Sequence, residues 1–327
     1  MNKSRIEWCD YTWNPITGCR HGCEYCYAKG IAKRFAGDVR LNMADERCKQ
    51  KDGIYVLDTA ITTDRGIINY PFGFAPTIHN YRFDWPGKVK NGAKVFVGAM
   101  TDLFGSWVPD FLIKKVFDTC EQYPQHVYIF LTKNPRRYLE LHEQKLLPCK
   151  ENYWFGTTVT KPADEFIWVK NTPYKTFVSI EPILEPFGEL NSDALPDWVI
   201  VGAETGNRKD KVVPERWWVE EIAQQCKKHD IPLFMKNSLQ DLMKEDFVQE
   251  WPKQLKNHFQ LSQKLKNRLY DKCVFCSKEM PMKEMIALLY RARRGEGAKR
   301  LGYSCHSCFE PFKKSLNSGE GLDSEKN

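Results

Sequence analysis

From residue 94 onward the chain alternates between two patterns. Short runs rich in β-branched and aromatic residues occur at 94–98, 126–131, 153–157, 176–180, 198–202 and 231–235. Helix-patterned stretches lie between them, such as 109–118 and 214–223. Near-continuous apolar strands separated by amphipathic helices specify parallel β/α units covered on both faces. A short strand before Cys19 and another at 75–79 bring the count to seven or eight. The expected fold is therefore α/β, a complete or partial β/α (TIM-like) barrel.

The residues that follow these strands are polar: Thr101-Asp102, Thr132-Lys133-Asn134, Thr158, Glu181-Pro182, Glu204-Thr-Gly206 and Lys236-Asn237. In a β/α barrel this end of the strands carries the chemistry. Helix N-caps account for the Thr, Asp and Asn residues. They account less well for Lys133, Glu181, Glu204 and Lys236, which either line a pocket or pair with one another as structural salt bridges.

With 327 residues, 42% hydrophobic and 28% charged, the chain can bury a large core, which excludes a wholly disordered protein. No apolar run approaches 18 residues, and the opening Met1–Trp8 lacks the apolar segment of a secretory signal, so a soluble, cytoplasmic protein with no membrane contact is expected. In a reducing compartment clustered cysteines read first as metal ligands. Of the twelve, Cys9, Cys48, Cys120, Cys149 and Cys226 are isolated and read as small hydrophobes. The other seven form two groups.

The first group reads Trp13-Asn-Pro-Ile-Thr-Gly-Cys19-Arg-His-Gly-Cys23-Glu-Tyr-Cys26-Tyr-Ala-Lys29. A structural zinc site takes four protein ligands, as does a fully protein-ligated iron–sulfur cluster. Three thiols leave one iron of a [4Fe-4S] cluster open. A zinc site completed by His21 is the alternative.

The C-x3-C-x2-C spacing, with Tyr25 before the last cysteine, resembles the signature of the radical SAM superfamily. That resemblance implies a [4Fe-4S] cluster on Cys19, Cys23 and Cys26, with S-adenosylmethionine on the open iron. It also implies hydrogen abstraction through a 5′-deoxyadenosyl radical, an electron donor such as flavodoxin or ferredoxin, and Tyr25 packed near the cofactor. The segments Ile6–Cys19, Met100–Phe104, Leu131–Arg136, Ser179–Leu184 and Trp198–Gly206 are similar to a phage-associated branch of the superfamily over residues 4–240. Many members of that branch have a longer gap between the first two cysteines; the gap here is the general superfamily one. Within this frame Glu181, Glu204 and Thr158 are candidates for cofactor binding. Lys133 and Lys236 suit a phosphate or carboxylate of the substrate.

The second group consists of two C-x2-C knuckles, Cys273/Cys276 and Cys305/Cys308, enough to close a tetrahedral zinc site. An auxiliary iron–sulfur cluster is the rival. Apolar residues at 282, 285, 286 and 289 predict a helix between the knuckles, ended by Gly295. Residues 262–314 hold 13 Lys+Arg against 5 Asp+Glu, a net of +8, while the whole chain is +7. Arg291, Arg293 and Arg294 in this stretch suit a phosphate backbone.

The expected organisation is a barrel over 1–240 with an irregular insertion at 37–93, a linker at 241–268, a four-cysteine zinc module at 269–314 and a disordered tail at 315–327. The leading functional expectation is a radical SAM enzyme modifying a nucleic acid or nucleotide. The alternatives are a radical SAM enzyme acting on peptides or proteins, with a second iron–sulfur cluster, and a non-catalytic, metal-stabilised nucleic-acid-binding protein.

Overall fold

The structure, a computed structural model, describes residues 1–256 apart from 65, 90, 165–172 and 190–194, together with the strand backbones Tyr270–Lys272, Glu279–Pro281, Met285–Tyr290 and Lys299–Cys305. The chain divides into two compact units, Met1–Ser262 and Gln263–Asn327.

The first unit is built on one eight-stranded sheet. Strand β1 (Asn2–Lys3) lies antiparallel to β2 (Tyr11–Trp13). From β2 the sheet continues in sequence order through β3 (Lys94–Val97), β4 (Val127–Thr132), β5 (Tyr153–Val159), β6 (Lys175–Ile180), β7 (Val199–Val201) and β8 (Leu233–Met235). These seven strands are parallel to one another. The order is open, with β1 and β8 as its edges among the described residues.

The longer helices among the described residues are α1 (Tyr27–Arg34), α2 (Asp110–Gln122), α3 (Arg136–Glu143) and α4 (Arg216–Lys228). Helix α2 turns Leu112, Ile113, Val116 and Phe117 inward, and α4 does the same with Val219, Ile222 and Cys226. The strands are therefore apolar on both faces, as parallel strands under crossover helices must be.

The opposite face of the sheet carries an aromatic cluster of Trp8, Phe96, Trp154, Phe177, Trp198 and Phe234. The Trp8 ring centroid lies 4.7 Å from that of Phe96 in β3 and 6.2 Å from that of Phe177 in β6. On a flat sheet those two strands stand about 14 Å apart. The sheet curls, and Trp8 fills the inside of the curl. At the N-terminal ends of the strands Trp251 stacks on Trp198 at 5.4 Å, and the Trp198 indole N–H donates to the Glu250 carbonyl at 3.1 Å. Trp251 and Leu255 thus pack onto the aromatic face of the sheet.

Two expectations change. Thr77–His79 is a strand, but it pairs with Ile16–Thr17 and Ile54–Leu57 in a separate four-stranded sheet that also includes Lys49–Lys51. Both edges of β2 are already taken, by β1 and β3, which leaves no place for it beside the first main strand. In the second unit the segment expected as a helix is a strand: Met285–Tyr290 pairs antiparallel with Lys299–Cys305. A six-residue apolar run satisfies helical and strand patterns alike, and pairing with a distant partner decides between them. Cys273, Cys276, Cys308, Arg291, Arg293 and Arg294 lie outside the described residues, as do the later part of the linker and the tail. Among the described residues no helix is long and apolar enough to cross a membrane.

Candidate functional site

The C-terminal ends of the parallel strands open into a cavity of about 330 Å³, at the lower end of the range for small-molecule sites. Cys19, Cys23 and Cys26 line it, and so do Tyr25, Thr158, Lys133, Glu181, Glu204 and Lys236. Residues separated by more than 200 positions in the chain thus share one wall system.

The cysteine loop follows β2 and is held by specific bonds. Gly18 sits at φ +87°, and a Cβ there would meet the Ala75 carbonyl oxygen at 2.3 Å. Its N–H donates to the Met100 carbonyl at 2.8 Å, and Thr101 Oγ1 donates to its carbonyl at 2.6 Å. His21 Nε2 donates to Asp102 Oδ2 at 2.7 Å, and its ring meets Trp107 edge-on at 5.0 Å. Asp102, buried in the loop that follows β3, also accepts from Thr132 Oγ1 (2.7 Å), the Phe104 N–H (3.0 Å) and the Lys133 N–H (2.9 Å). One carboxylate therefore ties the cysteine loop to the ends of β3 and β4.

One ring nitrogen of His21 is thus taken by Asp102, and the residue lines the same cavity as the thiols. Among the described residues no group of three or more His, Cys, Asp or Glu side chains is close enough to hold a single metal ion. A single zinc ion draws thiolates to about 2.3 Å each, whereas the cysteines of a cubane each bind a different iron. Three partly exposed free thiols around one cavity suit the larger centre. Burial pushes the Cys19 thiol up to about 11, with Asp102, Cys23 and Cys26 adding to the effect. Its deprotonation therefore accompanies metal binding. Cys26 is the N-cap of α1, where the helix dipole favours negative charge.

The charged groups divide into three sets. Lys236 forms an ion pair with Glu181 and lies 3.8 Å from Glu7 Oε2, while the Asn237 N–H donates to Glu7 Oε1 at 3.1 Å. Burial opposes the charge on Lys236, but the Glu181 and Glu7 carboxylates outweigh it and hold the ammonium above its ordinary range. Glu204 is gripped by Arg208 through two bonds of 2.7 and 2.8 Å, which keeps its carboxyl below the usual range. Arg208 reaches on to Glu24, between Cys23 and Cys26, at 3.6 Å. Lys133 Nζ donates to the Tyr25 hydroxyl at 3.1 Å. Burial raises the Tyr25 phenol, and Lys133 pulls it the other way.

Of the four charged strand endings, Glu181 and Lys236 pair with each other; Glu204 and Lys133 have other partners. Asp102, Arg208, Glu7 and Trp8 are site residues that sequence reasoning missed. Only Asp102 carried a signal, its place at a strand end, and there it reads as a simple cap.

Among curated proteins none matches this chain. Solved structures of spore photoproduct lyase are similar to it at a low level. A cysteine-to-serine mutant of that enzyme has a TM-score of 0.35 and 12% identity, covering 97% of this chain and 74% of its own. The enzyme complexed with dinucleoside spore photoproduct has a TM-score of 0.35 and 10% identity with the same coverage. At that level of likeness nothing about this chain's chemistry follows from them. The family described as "Protein of unknown function (DUF5131)" matches residues 3–275, and the chain belongs to that family.

Proposed function

We propose that this protein is a cytoplasmic radical SAM enzyme that modifies a nucleic acid or nucleotide, with a [4Fe-4S] cluster on Cys19, Cys23 and Cys26 and S-adenosylmethionine beside it. The observation that carries the proposal is three free, partly exposed thiols on the wall of one cavity at the C-terminal ends of seven parallel strands. The curled, open sheet reads as a partial β/α barrel. When bound, cluster and cofactor supply hydrogen-atom abstraction from an unactivated carbon, driven by an electron from a donor such as flavodoxin or ferredoxin.

The chain's own residues have separable tasks. Glu181 and Lys236 present a carboxylate and an ammonium side by side, a match for the opposite charges of an amino-acid moiety. Thr158 and Glu204 offer a hydroxyl and a carboxylate to ribose hydroxyls, with Arg208 fixing the Glu204 rotamer. Tyr25 presents its ring to the cavity and is steadied by Lys133, which also suits a substrate anion. Asp102 orients His21 and so the cysteine loop. In the second unit zinc on Cys273, Cys276, Cys305 and Cys308 would supply folding energy, and Arg291, Arg293 and Arg294 would contact phosphates.

The test begins with oxygen-free purification and metal analysis, followed by reduction with dithionite in the presence of S-adenosylmethionine. About four irons and one zinc per chain, with 5′-deoxyadenosine released, are expected. Zinc alone with no cleavage after reconstitution would sink the proposal. Eight irons without zinc would move the second unit to an auxiliary cluster.

A further inference from the structure

We infer that the floor of the cavity recognises a neutral, planar, acceptor-bearing group of the substrate, the carbonyl edge of a nucleobase, through Trp8 Nε1 and Ser179 Oγ. The inference deepens the function proposed above and rests on it.

Both side chains are buried, Trp8 at 2% and Ser179 at 0% exposure, and both line the cavity. Neither Trp8 Nε1 nor Ser179 Oγ has a hydrogen-bond partner, and of the buried side-chain atoms in that condition among the described residues, these two belong to residues that line the cavity. Native interiors rarely leave such groups unpaired, and each one asks for an explanation. The two share one wall. Ser179 lies on the same face of β6 as Phe177, by the alternation of a strand, and the Trp8 ring packs 6.2 Å from Phe177.

The chemistry of these groups narrows the ligand. An indole N–H only donates, so the ligand must offer an acceptor; the serine hydroxyl can donate or accept. The lining includes the apolar side chains of Trp8, Phe96 and Leu131, against which an unpaired charge would be strongly disfavoured. The charged groups of the cavity are already paired with one another or with neighbouring residues. Aromatic walls suit a flat ring. Within the proposed substrate class, a nucleobase carbonyl combines flatness, neutrality and an acceptor.

The experiment uses the full-length chain labelled with ¹⁵N at its tryptophan indoles, with Trp8→Phe identifying the Trp8 signal by its loss. Uridine and guanosine are titrated in, with ribose 5-phosphate and S-adenosylmethionine as controls. The Trp8 N–H resonance should shift with a nucleoside and not with the sugar phosphate. Affinity should fall roughly tenfold in both Trp8→Phe and Ser179→Ala. A Trp8 signal unmoved by either nucleoside, or moved equally by ribose 5-phosphate or S-adenosylmethionine, overturns the inference. So does unchanged affinity in both variants. Measuring 5′-deoxyadenosine in the same preparations separates the two levels. Cleavage with a silent Trp8 signal removes the floor site alone; absent iron and absent cleavage remove the reading beneath it.

Discussion

At their N-terminal ends the parallel strands run into Trp251, which stacks on Trp198 and carries the Lys94 ammonium 4.0 Å from its ring centroid. At their C-terminal ends the same strands open into a cavity lined by thiols, carboxylates and lysines. One end is closed by aromatic packing and by Glu250, whose carboxylate takes the Leu233 N–H and whose carbonyl takes the Trp198 indole. The other end holds charges in local pairs and leaves Trp8 and Ser179 without partners. The lesson is a division of labour along each strand: aromatic packing closes the end where the strands start, and thiols and charged groups gather where they finish.

That division can be broken experimentally. The largest effect belongs to Cys23→Ala, which should abolish cofactor cleavage and lower iron content while leaving the thermal midpoint nearly unchanged. Retained cleavage would remove the cluster assignment. Trp251→Ala should do the reverse, lowering stability by about 3 kcal/mol with turnover per folded molecule intact, as read by urea melts and active-site titration. Asp102→Asn comes next. It keeps the shape but turns an amide toward N–H groups that now meet a carboxylate, and should reduce iron affinity and cleavage roughly tenfold. If Asp102→Asn instead unfolds the protein without first losing iron, Asp102 belongs to the scaffold and the division is less clean than drawn.

The smallest effect sharpens the comparison through pH. His126, buried just before β4, donates through Nε2 to the Pro86 carbonyl at 2.9 Å, and burial pushes its pKa down to about 4. The folded protein keeps it neutral, while the unfolded chain protonates near the ordinary 6.5. Stability is therefore fully present above about 6.5 and falls as the pH drops toward 4. Between pH 7 and 5.5 the loss should be about 1 kcal/mol. His126→Gln should flatten that stretch of the stability profile; an unchanged slope would place the acid sensitivity elsewhere.

Much of the architecture is legible in the sequence. The runs beginning at Lys94, Tyr153 and Trp198 show themselves as strands because they are apolar on both faces, a property written into consecutive residues. The cysteine trio is legible for the same reason: its spacing and the two glycines are local. The Met285–Tyr290 strand is not legible in this way, since its identity depends on a partner that begins nine residues after it ends. Nor is Thr77–His79, whose partners in the smaller sheet, Ile16–Thr17 and Ile54–Leu57, lie some 20 to 60 residues before it.

By itself, then, the sequence determined the alternation of strands and helices, the placing of polar residues after the strands and the three-thiol motif, all features with periods of a few residues. Tertiary structure alone decided who meets whom. Glu181 finds Lys236 across 55 residues, His21 finds Asp102 across 81, and Lys133 finds Tyr25 across 108. It also decided that Trp8 and Ser179 find no one. The physical reason is that a side chain's partner is set by the curl of the sheet and the register of strands distant in the chain, quantities that no short window of sequence contains.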